Sequence, residues 1–190
     1  MLEKNILAAI EAQQRLLADS ALLKIFKQAA DHVISCYRKG GRLYIAGNGG
    51  SAADAQHLAA EFVSRLSRDR NPLPAEALTT DSSILTAIGN DYGFEKVFSR
   101  QLAGKLQAND VFLGITTSGH SPNILQALQE CKTRGIKTIV FTGRDGGQTH
   151  PLADYCIVAP GKMTSTIQEL HILLAHTLCE SVECALFPIQ

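Results

Sequence analysis

The sequence predicts an α/β fold in one domain: a three-layer sandwich with a five-stranded parallel sheet, an N-terminal helical pair and a long C-terminal helix. From residue 42 onward, short β-rich segments alternate with helical segments, which is typical of right-handed βαβ units. The β-rich segments are apolar without a regular polar alternation, as expected of parallel strands that are buried on both faces. A chain of 190 residues is long enough for one such core.

The start of the chain predicts the helical pair. Apolar residues recur at helical spacing over 2–17 and again over 22–34. Asp19 and Ser20 lie between these stretches as candidate N-caps, and Gly40-Gly41 is expected to end the second helix.

The alternating segments define the remaining elements. Strands are predicted at 42–47, 75–80, 110–116, 137–143 and 154–159. Helical segments are predicted at about 51–65, 81–104 and 121–134, with a turn or short helix near 145–152 and a last helix from about 164 to 186. Ligands of such sheets bind beyond the carboxyl ends of the strands, so the residues that follow each strand are the first candidates for a site.

Composition excludes several classes of partner. Eighteen basic and 18 acidic side chains give a formal net charge of zero, so there is no basic stripe for nucleic acid or an anionic membrane. The first residues lack the apolar core of a signal peptide, and no apolar run is long enough to span a bilayer. Five scattered cysteines without CxxC spacing are typical of a reducing compartment, and we expect a cytoplasmic protein.

A glycine-rich turn follows the first predicted strand, with the sequence GNGGS at 47–51. Its glycines allow a close backbone approach to a ligand, and the N-terminus of the next helix favours an anion. Ser51 is a candidate N-cap, and Asp54 completes a variant capping box. A plain tight turn explains this loop equally well.

A hydroxyl-rich segment follows the third predicted strand, with the sequence TTSGHSP at 116–122. Ser121 is a candidate N-cap and Pro122 suits the first helical position. Hydroxyl groups at a helix N-terminus can bind a phosphate without a lysine. A turn that only caps its helix is the alternative, but two anion-ready loops on adjacent strands favour the phosphate site.

Two further polar features are ambiguous from spacing alone. Asn90 and Asp91 could orient sugar hydroxyls, although a helix end followed by a turn is favoured there. His57 and Glu61 share one helix face, with Arg65 one turn further on. They suit a base, a metal pair or a solvated ion network, and the solvated network is the default for charged residues.

The last helix, with the sequence TIQELHILLAHTLCE, carries polar residues in apolar surroundings. A helix that is apolar nearly all round is buried or lies in a subunit interface, and polar groups inside it need partners. Gln168 and His176 lie eight residues apart, and His171 lies on the other side of Gln168. Spacing does not choose between the two histidines.

Four segments together resemble the phosphoheptose isomerases of the sugar isomerase (SIS) domain superfamily. They are GNGGSAADAQHLAAEFVSR, ALTTDSSILTAIGNDYGFEKVFSRQ, GITTSGHSPNIL and IQELHILLAH, and the likeness extends over about residues 20 to 186. The resemblance implies a flavodoxin-like SIS fold and a homotetramer. It also implies conversion of D-sedoheptulose 7-phosphate to D-glycero-D-manno-heptose 7-phosphate through an enediol, the first step of ADP-heptose synthesis for the lipopolysaccharide core.

The resemblance also implies site residues. One zinc ion per subunit would be held by His57, Glu61, Gln168 and His176. Glu61 would act as the catalytic base and His176 as the acid. The substrate-binding residues would be Asn48, Gly49, Gly50, Glu61, Asn90, Asp91, Thr116, Thr117, Ser118, Ser121 and Gln168. Thr166 departs from the family, which usually has Arg or Lys there, and this leaves the sugar preference open.

Two other functions fit parts of the sequence. The ending ALFPIQ at 185–190 resembles non-catalytic tetrameric SIS proteins that bind the replication initiator protein, but the presence of Glu61 favours the enzyme. The pattern Gly47-x-Gly49-x-x-Ala52 nominally fits a dinucleotide-binding fingerprint. That fold needs an acidic residue roughly 20 residues further on, at the end of the second strand, and none is found there.

Assembly is predicted from the apolar helices. One small sheet cannot cover the stripes of the first two helices and a last helix that is apolar on nearly every side. Closed symmetry then favours a dimer or a dihedral tetramer, and the resemblance selects the tetramer. We expect residues 1–40 to serve in oligomerisation, while 41–190 form the α/β core with the C-terminal helix, within one SIS domain over 1–190.

Overall fold

The computed structural model describes residues 1–188 and contains a five-stranded parallel sheet between two helical layers. Of the ending ALFPIQ, Ile189 and Gln190 lie outside the described residues. The strands are β1 (Leu43–Gly47), β2 (Ala75–Ala77), β3 (Val111–Thr116), β4 (Lys137–Gly143) and β5 (Tyr155–Ala159). The helices are α1 (Leu2–Ala18), α2 (Ser20–Arg38), α3 (Gly50–Val63), α4 (Ser82–Tyr92), α5 (Ser99–Lys105), α6 (Pro122–Thr133) and α7 (Thr164–Leu186), with 3₁₀ turns at Phe94–Lys96 and Gly147–Thr149.

The sheet has the strand order β2-β1-β3-β4-β5, and every neighbouring pair is parallel. The predicted α/β class and parallel sheet are therefore confirmed. The carboxyl ends of all strands meet at one edge. Because β1 lies between β2 and β3, the chain changes direction across the sheet there, and this is where ligands bind in open α/β sheets.

Side-chain alternation along the strands creates two cores. Ile45 and Leu113 belong to a cluster that also contains buried residues of α1, α2, α3 and α7. Tyr44 and Phe112 point to the opposite face, where α5 and α6 pack. Strands β1 and β3 are buried along their whole length, which explains why they read as uninterrupted apolar runs.

The N-terminal helical pair packs on the same face of the sheet as α7. Asp19 caps α2 as predicted, because its carboxylate accepts a 2.9 Å hydrogen bond from the Leu22 amide. Within residues 1–188, no helix is long and apolar enough to cross a membrane. One side of α1 is nevertheless exposed, including the large apolar residues Leu2, Ile6, Leu7, Ile10 and Leu17.

Three local predictions were wrong. The helix expected over 81–104 is broken, because Gly93 adopts a positive φ of 91° and ends α4 before a 3₁₀ turn and α5 follow. The break is not visible in the sequence pattern, because helical periodicity continues on both sides of Gly93. The strand expected over 75–80 ends at Ala77. Helix α3 begins at Gly50, so Ser51 lies inside the helix and Gly49 takes the N-cap position.

Candidate active site

The turn between β1 and α3 depends on its glycines. Gly49 has a positive φ of 56°, a conformation that side chains with a Cβ rarely adopt. A Cβ on Gly50 would come within 2.3 Å of Nε2 of Gln168, so this glycine lets the first turn of α3 meet α7. The predicted loop residues therefore lie beside Gln168, although the two are more than a hundred residues apart in the chain.

Asn48 joins this turn to the next loop along the sheet. Its amide exchanges two hydrogen bonds with the amide of Asn123 in α6, at 2.9 and 2.8 Å. Asn123 is buried and also accepts a hydrogen bond from the Ile124 amide. The sequence predicts no role for Asn123, because nothing local distinguishes it from any polar residue in a first helical turn.

The hydroxyl-rich segment lies at the N-terminus of α6, as predicted. Ser121 occupies the N-cap position, but its hydroxyl pairs with Thr116 Oγ1 at 3.0 Å instead of capping the helix. Ser118 Oγ accepts a 3.2 Å hydrogen bond from the amide of His120, an exposed residue. The Ser121 hydroxyl does not cap α6, although the Asn123 side chain bonds the Ile124 amide of its first turn, and the positive end of the helix dipole remains suited to an anion.

A neighbouring glycine pair holds the hydroxyl-rich segment in place. A Cβ on Gly119 would lie 2.2 Å from the carbonyl oxygen of Gly146, so the backbones are in direct contact. Gly119 has a positive φ of 69°, and its carbonyl accepts a hydrogen bond from the Thr149 amide at 3.1 Å. The segment after β4, expected only as a turn or short helix, therefore supports the loop after β3.

Asn90 and Asp91 lie in the last turn of α4 and are exposed. The side-chain amide of Asn90 donates a 2.8 Å hydrogen bond to Asp91 Oδ1. The sequence favoured a helix end followed by a turn at these residues. The structure agrees, because α4 ends at Tyr92 and Gly93 follows as its C-cap.

A cluster of three polar side chains connects α3 to α7, and we call His57, Glu61 and His176 the open cluster. The Nε2 atoms of the two histidines are 3.0 Å apart, and His57 Nε2 is 3.3 Å from Glu61 Oε1. The side chain of His57 is 47% exposed and that of Glu61 is 20% exposed. Small molecules can therefore reach these groups.

The two histidines of α7 occupy opposite environments. His171 is fully buried, and its Nε2 pairs with the carbonyl oxygen of Thr142 at 3.0 Å. Burial disfavours the imidazolium and lowers the pKa of His171 to about 4, although the bond to Thr142 opposes this shift. The structure thus separates the histidines that spacing left ambiguous: His176 faces α3, and His171 faces the sheet.

The open cluster fits a zinc site by the test of ligand spacing. Two ligands that are each 2.0–2.1 Å from a tetrahedral zinc ion lie roughly 3.3 Å apart. The 3.0 and 3.3 Å separations are close to that value, and one ligand atom from each residue lies within 4.8 Å of the others. Histidine and carboxylate are also ligand types that zinc prefers. Gln168, the fourth predicted ligand, also lies where α3 contacts α7, beside Gly50 at the start of α3.

Asp54 precedes His57 by one helical turn. One oxygen of its carboxylate is buried without a hydrogen-bond partner in the described structure. Burial raises the pKa of Asp54, while the nearby His57 lowers it. The sequence predicted only a capping role for Asp54. That prediction was wrong, because α3 begins at Gly50 and Ser51 is not its N-cap.

Thr166, where the sequence departs from the family pattern, is buried in the first turn of α7. It lines a small cavity of about 60 Å³ between α1 and the start of α7, together with Arg15 and Lys162. Glu11 lines the same cavity, so charges of both signs surround it even though residue 166 itself is neutral.

Comparisons with known proteins agree with this architecture. Residues 6–143 match the family model described as SIS domain. The chain is 51% identical over 186 residues to a phosphoheptose isomerase from Aneurinibacillus thermoaerophilus, covering 98% of this chain and 94% of the relative. It is 50% identical to a phosphoheptose isomerase from Burkholderia pseudomallei strain K96243, with the same coverage of both chains.

Solved structures give the same result. The phosphoheptose isomerase from Neisseria gonorrhoeae aligns with a TM-score of 0.88 and 41% identity, covering 96% of this chain and 99% of that one. The phosphoheptose isomerase from Francisella tularensis aligns with a TM-score of 0.90 and 36% identity, covering 95% of both chains.

Proposed function

Since the chain belongs to the SIS domain family and is a phosphosugar isomerase of the phosphoheptose isomerase group, we propose that it converts D-sedoheptulose 7-phosphate to D-glycero-D-manno-heptose 7-phosphate. One observation carries the proposal. The open cluster supplies a carboxylate and an imidazole from α3, the helix that follows β1, and a second imidazole from α7. The neighbouring β3 leads into the hydroxyl-rich N-terminus of α6. Proton-transfer groups and a phosphate anchor are the two requirements of a phosphosugar isomerase.

The phosphate of the substrate binds at the N-terminus of α6, to the hydroxyls of Thr116, Thr117, Ser118 and Ser121. Backbone N–H groups and the helix dipole favour the anion there, so no cation is needed. The sugar chain then extends toward α3. Its hydroxyls and carbonyl are held by the remaining substrate-binding residues, which are Asn48, Gly49, Gly50, Asn90, Asp91 and Gln168.

The reaction is two proton transfers through an enediol. Glu61 removes a proton from C1 of the ketose while His176 donates a proton to the carbonyl oxygen at C2. Glu61 then returns a proton to C2, and the C1 hydroxyl gives its proton back to His176. The C1–H bond is broken, a C2–H bond is formed, and both residues return to their starting protonation states.

His57, Glu61, Gln168 and His176 would hold one zinc ion per subunit, which when bound would polarise the carbonyl as a Lewis acid. Glu61 then has two roles, and its carboxylate has two oxygens for them. Oε1 faces His57 at 3.3 Å, and we assign the proton transfer to Oε2. His176 has the same two roles: its Nε2 faces His57 at 3.0 Å, and we assign its proton transfer to Nδ1.

We further propose a homotetramer that acts in the cytoplasm in ADP-heptose synthesis for the lipopolysaccharide core. The exposed apolar side of α1 supports assembly, because soluble monomers avoid large apolar patches. The five cysteines all lie within the described residues as free thiols, which is typical of a reducing compartment.

Turnover of sedoheptulose 7-phosphate, with and without a chelator, tests the proposal. We expect isomerisation that falls on chelation and returns with zinc, and much slower turnover of unphosphorylated sedoheptulose. A folded, tetrameric protein that does not isomerise the sugar but binds the replication initiator protein would support the alternative function. The placement of Glu61 in the open cluster favours the enzyme.

A further inference from the structure

A second charged contact joins α7 to the irregular segment that follows α3, and the isomerisation mechanism does not use it. Arg70 and Glu183, which we call the closed pair, form an ion pair at 2.9 Å with side chains 1% and 0% exposed. A buried ion pair is weak evidence for stability, because desolvation offsets the attraction between the charges. Stability alone therefore does not explain why the closed pair lies at this place in the fold.

Arg70 holds the carboxyl end of α3. Its guanidinium donates hydrogen bonds to the carbonyl oxygens of Glu61 at 2.8 Å and Phe62 at 2.7 Å. Both carbonyls belong to the last turn of α3, where the helix itself supplies no N–H partner. The backbone of the proposed catalytic base is thus fixed directly by Arg70.

Glu183 fixes the same region to α7. Its carboxylate accepts hydrogen bonds from the amides of Leu66 and Ser67 and from the Ser67 hydroxyl, at 3.0 to 3.3 Å. Burial opposes ionisation, but these hydrogen bonds and the bond from Arg70 hold the pKa of Glu183 below its usual value. Glu183 follows His176 by seven residues, which is about two turns and nearly the same face of the helix.

The contacts between α3 and α7 occur at three successive levels. Gly50 meets Gln168 at the first level, and His57 meets His176 at the second. At the third level Arg70 connects the Glu61 carbonyl to Glu183. The helices therefore run in the same direction, and the closed pair sets their relative height and rotation at the end nearest to Glu61.

We propose that Arg70 and Glu183 are positioning residues of the isomerase: by fixing the carboxyl end of α3 to α7, they set the distances within the open cluster. This inference rests on the proposed function of that cluster. Disturbing the pair displaces Glu61 relative to His176 and slows proton transfer. Substrate binding changes little, because the phosphate is anchored separately at α6.

The test compares Glu183→Gln and Arg70→Lys with the matched control Asp154→Asn. Asp154 accepts hydrogen bonds from the amide and hydroxyl of Thr138 and pairs with Lys137, so its carboxylate is bonded much like that of Glu183. It lies at the opposite edge of the sheet, where β4 and β5 begin. The control therefore reports a loss of stability that does not involve the open cluster.

We expect kcat to fall about 10- to 100-fold in Glu183→Gln and Arg70→Lys, with KM within about twofold of wild type, at a temperature where each variant is folded. Arg70→Lys keeps the charge but loses the planar fork that reaches both carbonyls. Asp154→Asn should keep its kcat. Unchanged kcat in both folded test variants, or an equal loss in the control, would overturn the proposal.

Crystal structures of the same three variants provide a measurement that is independent of turnover. We expect the 3.0 Å separation of the His57 and His176 Nε2 atoms to change by more than ~0.5 Å in the two test variants and to persist in the control. If wild-type protein fails to isomerise the sugar, the proposed function fails, and this distance alone decides the positioning claim. An unchanged distance in both test variants contradicts it.

Discussion

The α3–α7 contact contains two charged clusters with similar residue types and opposite environments. In the closed pair, the Glu183 carboxylate receives hydrogen bonds from three residues and is fully buried. In the open cluster, the Glu61 carboxylate faces the exposed His57. A charged group with all its partners in place holds the fold rigid, whereas a partly exposed group keeps lone pairs for a substrate or a metal.

The largest expected effect comes from the base in the open cluster. Glu61→Gln keeps the size of the side chain and removes its basicity, so isomerisation should fall by at least ~100-fold. Thermal unfolding should be close to that of wild type, since the backbone carbonyl of Glu61 still binds Arg70. Glu169→Gln, an exposed position on α7, is the control. Near-normal turnover by Glu61→Gln would remove Glu61 from the mechanism.

The buried histidine of α7 gives the next effect, on stability instead of catalysis. The pKa of His171 is about 4 in the folded chain and about 6.5 when unfolded, so the unfolded chain binds more protons between these values. The stabilisation is complete above pH 6.5 and is lost as the pH falls toward 4, with a total loss on the order of 2–3 kcal/mol. Urea unfolding at several pH values should show a shallower pH dependence for His171→Gln. Parallel curves for the two proteins would contradict the assignment.

Metal removal tests the open cluster as a group. If its members and Gln168 bind zinc, purified protein should contain about one zinc per subunit. Dialysis against a chelator should lower activity about tenfold or more, and added zinc should restore it. Full activity in metal-free protein would leave these residues as acid–base groups only.

The hydroxyl-rich segment should give the smallest effect. Ser118→Ala combined with Ser121→Ala removes two hydroxyls, and binding of phosphorylated sugars should weaken about fivefold, near 1 kcal/mol. A similar loss of folding stability is expected, because Ser121 bonds Thr116 instead of capping α6. Inhibition by phosphorylated and unphosphorylated analogues provides the comparison. Equal losses for both would show that the segment does not recognise phosphate.

Assembly offers a further way to test the open cluster. If α7 faces another subunit, the catalytic groups lie beside residues of that subunit. Dilution should then lower the fraction of tetramer and the specific activity together. Light scattering alongside activity measurements follows both quantities. A stable monomer with full activity would contradict both the assembly and the shared site.

The sequence predicted the sheet because local patterns determine it: buried parallel strands such as β3 and β4 read as apolar runs between helices. It did not reveal the break at Gly93, because helical periodicity continues beyond that residue. In the site, the four-residue spacing placed His57 and Glu61 on one helix face, which the structure shows. Selection of His176 over His171 came from family resemblance, since only tertiary packing separates them.

The positioning residues were beyond local prediction for the same reason. Arg70 is one of several arginines in an irregular segment, and its partner Glu183 is 113 residues away. Asn123 pairs with Asn48 across 75 residues. Neither pairing leaves a trace in spacing or composition, because the contacts exist only after the sheet has brought distant helices together.

Deuterium incorporation from solvent reports directly on proton transfer by Glu61 in the open cluster. Sedoheptulose 7-phosphate is equilibrated with the protein in D₂O, and the sugars are then examined by NMR. We expect deuterium at C2 of the aldose and C1 of the ketose with wild-type protein, because the partly exposed Glu61 exchanges its proton with solvent over many turnovers. With Glu61→Gln, we expect both isomerisation and exchange to be at least ~100-fold slower. Full equilibration by wild type without any deuterium, or by Glu61→Gln at the normal rate, would contradict this role of Glu61.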